Sequence, residues 1–315
     1  MLKKIGIIVL VCAVVLSVWG VTNGQAADKI KIGAAMSSFA DKWQTYLQDG
    51  VRAFGKDHAD VEILMTDGKD DPATQLNQIE TMLTQGVKAI VIVPVDISAI
   101  GPIIQKCQEA KVKLVAVNRL PAKEFVDQID AYCGSESIQA GIMQAEWVAK
   151  KMGPDGGKVG IIMGPLGQEA AVMRTKGNED VFAKNPKITV DIKAEGKWDR
   201  AQGMKIAENW IQAKRGLKAI VCNNDEMAIG AVLAAQGAGL KDEDLIIAGV
   251  DATPDALEYL GKGLDVTVFQ SAHGQGFGGI ETAYKLVKGE KVEKLVWIPY
   301  ELVTIENADK YKPKK

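Results

Sequence analysis

Residues 219–255 read AIVCNNDEMAIGAVLAAQGAGLKDEDLIIAGVDATPD, and this stretch decides the fold. An apolar strand, AIVC, ends at the polar run 223–226. A helical pattern follows, and a second apolar strand, LIIAGV, ends at Asp251. Two successive strand–helix units therefore each place a carboxylate directly after the carboxyl end of a strand. In open parallel α/β sheets, ligands bind at that edge.

The same alternation of strand and helix extends along the chain on both sides of this stretch. Further strands are predicted from Lys29 (KIKIGAAM), Val61 (VEILMT), Ala89 (AIVIVPV), Lys113 (KLVAV), at 127–133, and from Lys158 (KVGIIMG), Ile188 (ITVDIKA), Val266 (VTVFQ) and Val296 (VWIPYELVT). Helices are predicted over 43–56, 71–85, 137–152 and 274–288, the second of them with Asp71 as N-cap and Pro72 at N1. Continuously apolar strands are typical of a sheet covered on both faces. The chain is therefore predicted to be α/β, with two similar lobes in tandem.

Residues 1–26 have the pattern of a cleaved secretory signal. Lys3 and Lys4 precede the charge-free run 5–21, and Gly24 and Ala26 are small residues at the −3 and −1 positions of a cleavage site. The alternative is an uncleaved membrane anchor, but the run is shorter than the roughly 20 residues that a spanning helix needs. The mature chain is therefore expected to be exported.

Composition argues against several function classes. The formal net charge of −2, with mixed signs, gives no electrostatic case for nucleic-acid binding. The cysteines after the signal, Cys107, Cys133 and Cys222, are odd in number and widely spaced, which favours buried thiols, although a Cys107–Cys133 bridge stays open. With only His58 and His273 as histidines, neither a His-rich metal site nor His-based acid–base catalysis is expected, and no cofactor is predicted.

The residue types that follow the strands suit a polyhydroxylated ring better than a chemical reaction. Adjacent hydroxyls pair best with planar carboxylate, amide and guanidinium groups, and the C–H face of a ring packs on an aromatic side chain. Signals for other chemistry fail. The loop 164–167 lacks the Lys-Ser/Thr of a phosphate-binding loop, the segment 67–71 breaks the EF-hand spacing, and Ser135 has no partner histidine.

Candidate ligand-contacting residues follow strand after strand in both halves of the chain. Trp43 and Trp198 each lie just past a strand, and the alternative for each is a core residue at a helix start. Arg119 and Arg174 could instead form surface or interdomain ion pairs, and Gln270 could be solvated. Repetition after successive strands favours one shared site. The predicted set is Asp41, Trp43, Asn118, Arg119, Arg174, Trp198, Asn224, Asp251 and Gln270.

In combination, these motifs resemble the periplasmic sugar-binding proteins of ABC transporters, of the ribose-binding type. That resemblance rests on the signal pattern and on NNDEMAIGA (223–231), GVDATPDAL (249–257) and DVTVFQ (265–270). Other segments are more similar to the rhizopine- and inositol-binding branch: VNR (117–119), MGPLGQEAAVMRTKG (163–177), W-x-R (198–200), ENW (208–210) and WIPYELVT (297–304). The resemblance covers essentially all of the mature chain.

The resemblance implies two Rossmann-like lobes of the periplasmic binding protein type I fold, joined by three crossover strands. It implies a first lobe of 28–135 plus 271–299 and a second of 136–270 plus 300–315. The ligand would lie between the lobes, on the candidate residues given above. It also implies a periplasmic monomer that delivers its ligand to a membrane ABC permease and could serve a chemoreceptor.

Two departures from the ribose-type pattern bear on the ligand. Where that pattern has Asn-Asn-Pro-Phe-Phe after the first strand, this chain reads ADKWQ (40–44), and Asn118 stands where an Asp precedes the Arg. A wider aromatic plate and changed polar groups favour a six-membered ring, so a cyclitol such as myo-inositol is the predicted ligand. A pentose- or hexose-binding protein is the alternative. More remote are a LacI-type effector domain, which would need a helix-turn-helix in place of the signal, and a secreted enzyme, which would need a nucleophile–base pair.

Overall fold

The computed structural model describes residues 29–312, which form two parallel sheets with helices on both faces. The predicted signal at 1–26 lies outside the described residues. The strands of the first sheet are β1 (Ile30–Met36), β2 (Val61–Asp67), β3 (Ala89–Ile92), β4 (Lys113–Val117), β5 (Ala131–Gly134) and β11 (Leu295–Trp297). They are all parallel, in the order β11-β5-β4-β3-β1-β2.

The second sheet repeats this plan. Its parallel strands are β6 (Gly157–Met163), β7 (Ile188–Glu195), β8 (Leu217–Cys222) and β9 (Ile246–Ala248), in the order β7-β6-β8-β9. An antiparallel pair of β10 (Thr267–Phe269) and β12 (Glu301–Val303) continues it, through parallel bridges from Ala248 to Val266 and from Asp251 to Phe269.

Helices cover both faces of each sheet. The α-helices are α1 (Lys42–Asp57), α2 (Pro72–Thr84), α3 (Gly101–Glu109), α4 (Lys123–Val126), α5 (Ser137–Met152), α6 (Glu169–Phe182), α7 (Arg200–Gln212), α8 (Asp225–Gly237), α9 (Pro254–Leu257) and α10 (Ala272–Val287). Successive β1 side chains show the arrangement, since Ala34 packs with α1 and α10 and Ala35 packs with α2 and α3. This two-sided burial explains why the strands are apolar without alternation.

The chain passes between the two sheets at three places. The first crossover lies between β5 and α5, because α5 packs on the second sheet, and the second lies between β10 and α10, because α10 packs on the first. The third is Ile298–Tyr300, between β11 and β12. The predicted α/β class is confirmed, while the lobe boundaries at 135/136, 270/271 and 299/300 stay predictions. Below, the first and second lobes mean each sheet with its packed helices.

Three predicted elements differ from the structure. The strand predicted at 127–133 begins only at Ala131, because α4 and the turn after it occupy the preceding residues. The single strand predicted at 296–304 is two strands in different sheets, separated at Pro299, which has no N–H to donate to a ladder. The helix predicted from residue 274 begins at Ala272, where the Ser271 hydroxyl caps it.

Other predictions hold. Asp71 caps α2 by accepting from the Thr74 N–H at 2.6 Å, with Pro72 in the first turn. The thiols of Cys107, Cys133 and Cys222 are free and buried, so no bridge joins Cys107 to Cys133. Among residues 29–312, no helix is long and apolar enough to cross a membrane.

Glycines allow three helix pairs to pack backbone against backbone. In α1 and α10, a Cβ at Gly276 would overlap the Leu47 carbonyl oxygen, and one at Gly50 would overlap that of His273. Glycines on the facing helices make equally close contacts between α5 and α6 and between α7 and α8. Because these contacts are with backbone, a side chain could be accommodated only by moving a helix.

Gly276→Ala is therefore expected to destabilise the protein by about 1–3 kcal/mol through overpacking, although Ala is the better helix former. The matched control is Gly237→Ala in α8, where a Cβ would meet nothing within 4 Å. That change should be neutral or stabilise by up to about 1 kcal/mol. Urea unfolding of the two ligand-free variants measures the difference, and equal stabilities would refute the close-packing argument.

Candidate functional site

The structure brings all of the predicted ligand-contacting residues to the wall of one cavity between the two lobes. They come from the segments that follow the carboxyl ends of the strands, where sequence reasoning placed them, and from α6. Gln168 and Ala170 complete the lining and were not predicted. That these residues contact a ligand stays a prediction.

In the first lobe, Asp41 and Trp43 lie where β1 leads into α1. One carboxylate oxygen of Asp41 caps the helix, accepting from the Trp43 and Gln44 N–H groups at 3.0 and 3.2 Å. Trp43 is buried against the first-lobe core, and its indole N–H has no partner among the described residues. The alternative interpretation of Trp43, as a core residue at a helix start, is therefore also correct, and both Trp43 and the capping Asp41 line the cavity as well.

Asn118 and Arg119 follow β4 and form a second part of the first-lobe wall. Asn118 has φ +65°, a conformation that Asn tolerates, and its amide donates to Gln275 Oε1 at 3.2 Å. Arg119 is buried and donates from Nη1 to the Pro94 carbonyl at 2.9 Å. Burial lowers the pKa of Arg119, and the nearby carboxylates Asp41 and Asp70 oppose that effect.

Arg174, Asp251 and Gln270 form a charged wall in the second lobe. Arg174 donates from Nη1 to the Asn223 carbonyl at 2.7 Å and from Nη2 to Gln270 Oε1 at 2.6 Å. Asp251 Oδ1 lies 3.7 Å from Arg174 Nη1, and no described group donates a hydrogen bond to this carboxylate. Burial raises the pKa of Asp251 well above its usual range, and Arg174 opposes the rise. A buried carboxylate without donors is suited to accept hydrogen bonds from a ligand.

Trp198 is fixed from three sides. Its backbone is left-handed, with φ +62°, and its carbonyl accepts from the Asn224 amide at 3.3 Å. The indole N–H donates to Gln168 Oε1 at 2.6 Å, and the six-membered ring lies so close to Gly164 that a Cβ there would overlap it. Asn224 also caps α8 through the Met227 N–H. The indole is therefore held in place before any ligand arrives.

Sequence reasoning missed Gln168 for an identifiable reason. It lies well past the end of β6, behind the loop Gly164–Gly167, and has no individual signal of its own within the segment 163–177. Strand-end reasoning looks at the first few residues after a strand. The usable signal was Trp198 itself, because a half-buried indole N–H needs a hydrogen-bond acceptor.

The cavity offers hydrogen-bonding and stacking groups from both lobes. Carboxylate, amide and guanidinium groups can pair with adjacent hydroxyls, and the two indoles can cover a ring face. Within residues 29–312, no group of three or more His, Cys, Asp or Glu side chains is arranged to hold a metal ion. The arrangement can therefore bind a polar ring.

Comparison with known proteins gives the family. A model described as a periplasmic binding protein domain matches residues 32–291. The chain is 40% identical over 294 residues to a "putative rhizopine-binding protein" of Rhizobium meliloti, covering 92% of this chain and 94% of the relative. It is 30% identical over 295 residues to the ribose import binding protein of Escherichia coli, covering 93% and 96%.

A solved structure agrees with these relatives. The chain is similar to an ABC transporter solute binding protein from Bacillus halodurans with bound myo-inositol, at a TM-score of 0.86 and 39% identity, covering 91% of this chain and 99% of that one. All three are named as binding proteins, two of them of import or ABC transport systems, and none is named as an enzyme, in agreement with the sequence prediction. The chain belongs to the periplasmic binding protein family.

Proposed function

We propose that this protein is the solute-binding protein of an ABC importer and that it binds a cyclic polyol, a cyclitol such as myo-inositol, in the cavity between its lobes. The observation that carries the proposal is the composition of that cavity. One indole from each lobe lines it, together with two arginines, two aspartates and four amide side chains. A ring with a hydroxyl on every carbon can pair with all of these planar groups while its C–H faces contact the indoles.

The first-lobe wall supports a six-membered ring over a pentofuranose. Gln44, which stands where the ribose-type pattern has an aromatic residue, is buried and bonded within the protein. Its amide donates to the Ser37 hydroxyl at 2.8 Å and to Asp41 Oδ2 at 3.0 Å, and it does not line the cavity. Trp43 is therefore the aromatic residue of α1 that faces the ligand, and its indole is wider than the ring of Phe.

The relatives support the same ligand class and define the second candidate. The Bacillus halodurans protein holds myo-inositol, and the Rhizobium meliloti relative is named for a rhizopine. The Escherichia coli relative, at lower identity, is named for ribose, so a pentose or hexose is the alternative ligand. The two candidates differ in the ring that the indoles must cover.

The proposed mechanism is closure of the lobes on the ligand by bending of the three crossovers. In the described structure the lobes meet at the cleft mouth, where Lys42 Nζ of α1 lies 3.9 Å from Asp255 Oδ2 of α9. The closed form would then be recognised by the membrane permease and, where the cell has one, by a chemoreceptor. Export through the signal at 1–26 would place the protein in the periplasm as a monomer.

A melting-temperature panel tests this function. The protein is refolded free of carried-over ligand and heated with myo-inositol, ribose, xylose, glucose or galactose. A ligand at 1,000 times its Kd stabilises the native state by about 4.1 kcal/mol, which is a shift of several degrees. We expect that shift for myo-inositol alone. A shift with an aldose instead would contradict the cyclitol, and no shift with any of the sugars would contradict the function.

Binding is also expected to release protons at pH values above the ordinary aspartate range, where free Asp251 is still partly protonated. Burial keeps the pKa of Asp251 well above its usual range in the ligand-free protein. Ligand hydroxyls that donate to this carboxylate favour its ionised form and lower that pKa, so its proton leaves on binding. Affinity should then rise with pH over the range in which free Asp251 is partly protonated.

Calorimetry in two buffers with different ionisation enthalpies measures the proton count. Asp251→Asn should abolish the release. Glu169→Gln is the control, because burial raises the pKa of Glu169 to about 7 but this side chain does not line the cavity. Proton uptake, or an affinity that falls as pH rises, would contradict an accepting role for Asp251.

A further inference from the structure

The guanidinium of Arg174 is bonded to two of the three crossovers. Its Nη2 donates to Gln270 Oε1 at 2.6 Å, just after β10, and to the Tyr300 hydroxyl at 3.2 Å, in the third crossover. Its Nη1 donates to the Asn223 carbonyl in the body of the second lobe. One terminal nitrogen of this arginine, Nη2, is thus held by two of the segments that must bend for the lobes to move.

Tyr300 is itself well anchored on the second-lobe side. It is 9% exposed and packs in a small apolar cluster with Ala140, Val250 and Val268. Two residues earlier, the Ile298 N–H donates to the Gly134 carbonyl of the first sheet at 2.7 Å. The position of the Tyr300 hydroxyl therefore depends on how the third crossover runs between the lobes.

Tyr300 does not line the ligand cavity, whereas Arg174 does. Arg174 Nε is buried and has no partner among the described residues, and the Arg174 carbon Cζ lies 5.8 Å from the centre of the Trp198 ring. The Tyr300 hydroxyl and Gln270 leave the guanidinium one orientation, in which it lies beside both Asp251 and Trp198. Arg174 is the ligand-cavity residue to which the Tyr300 hydroxyl is bonded, so an effect of that hydroxyl on ligand binding is expected to pass through Arg174.

We propose that Tyr300 is a positioning residue for the binding site. Its hydroxyl fixes the orientation of Arg174 when the third crossover has the arrangement seen here, and so couples the hinge to the ligand-binding arginine. The proposal rests on the proposed function, because it assigns Arg174 to the ligand. It predicts that a group outside the cavity controls how long the ligand stays bound.

Tyr300→Phe removes only the hydroxyl and keeps the buried ring. We expect Kd for myo-inositol to rise about tenfold, because one hydrogen bond to a charged group is lost, with most of the change in the dissociation rate. The matched control is Tyr284→Phe, whose hydroxyl bonds to Asp60 on the surface of the first lobe, and its Kd should stay unchanged. A Tyr300→Phe protein that binds as tightly as wild type overturns the proposal.

A double-mutant cycle with Arg174→Lys separates positioning from a general structural effect. If Tyr300 acts through Arg174, adding Tyr300→Phe to the Arg174→Lys protein should change Kd less than twofold. If the Kd of the double variant instead rises by the product of the two single fold-changes, the proposal is overturned. The same cycle on the unfolding of the ligand-free protein keeps the test independent of the ligand. If wild type binds none of the sugars, the proposed function fails. The coupling between Tyr300 and Arg174 would be overturned separately if the two substitutions had additive effects on the free energy of unfolding.

Discussion

Asp251→Ala is expected to weaken myo-inositol binding by about 3–5 kcal/mol, or at least about 100-fold in Kd. Two costs combine. The ligand loses a buried carboxylate that has no other hydrogen-bond donor in the described structure, and Arg174, 3.7 Å away, loses its anionic neighbour. Breaking one side of a buried charge pair is expensive because the remaining charge stays desolvated. Isothermal calorimetry on the refolded variant measures the loss.

The matched control for Asp251→Ala is Asp265→Ala, in the same lobe. Asp265 accepts from the Ile247 N–H at 2.9 Å and does not line the cavity. Its removal should lower the unfolding free energy by about 1–3 kcal/mol, because it leaves that N–H without a partner, and should leave Kd unchanged. An Asp251→Ala protein that keeps wild-type affinity would remove this carboxylate from the site.

Trp198→Ala is expected to weaken the binding free energy by about 2–3 kcal/mol, which raises Kd roughly 30- to 150-fold. The indole is the second-lobe aromatic surface of the cavity, and Gly164, Gln168 and Asn224 fix it before binding. Its loss removes contact area on the ring face, and it also leaves the Gln168 amide oxygen without its donor. Because the indole also packs against the second-lobe core and is bonded to Gln168, the variant should lose stability as well as affinity.

Trp147→Ala is the control for the same deletion elsewhere. Trp147 lies on α5, half-buried against the second-lobe core and away from the cavity. This variant should lose stability and keep its affinity, whereas Trp198→Ala should lose both. If both variants bind as wild type does, the ring does not stack on Trp198, and the two-indole arrangement is wrong.

The convergence of the candidate residues could be predicted from sequence because of one geometric rule. Parallel strands end at the same edge of their sheet, so polar residues such as Asn118, Asn224 and Asp251 gather there without any knowledge of side-chain packing. The α/β class followed from the same alternation. The Asp71 cap on α2 was predictable because capping is local in sequence.

What could not be predicted depends on contacts that are distant in sequence. The close approach of Gly276 to Leu47 requires knowing that α1 and α10 pack together, and Gln168 matters only because Trp198 lies beside it. Pro299 is visible in the sequence, but that it separates two strands follows only from their partners, because β11 pairs in the first sheet and β12 pairs with β10. For the same reason, the single strand predicted from Val296 includes Tyr300.

The most direct test of the account is the affinity of the refolded protein for myo-inositol and for ribose, measured by isothermal calorimetry under identical conditions. Six hydroxyls matched by the cavity groups, with both ring faces on indoles, predict that myo-inositol binds at least about 100-fold more tightly, a difference of about 3 kcal/mol. Equal affinities, or tighter binding of ribose, would contradict the claim that this cavity selects a cyclitol.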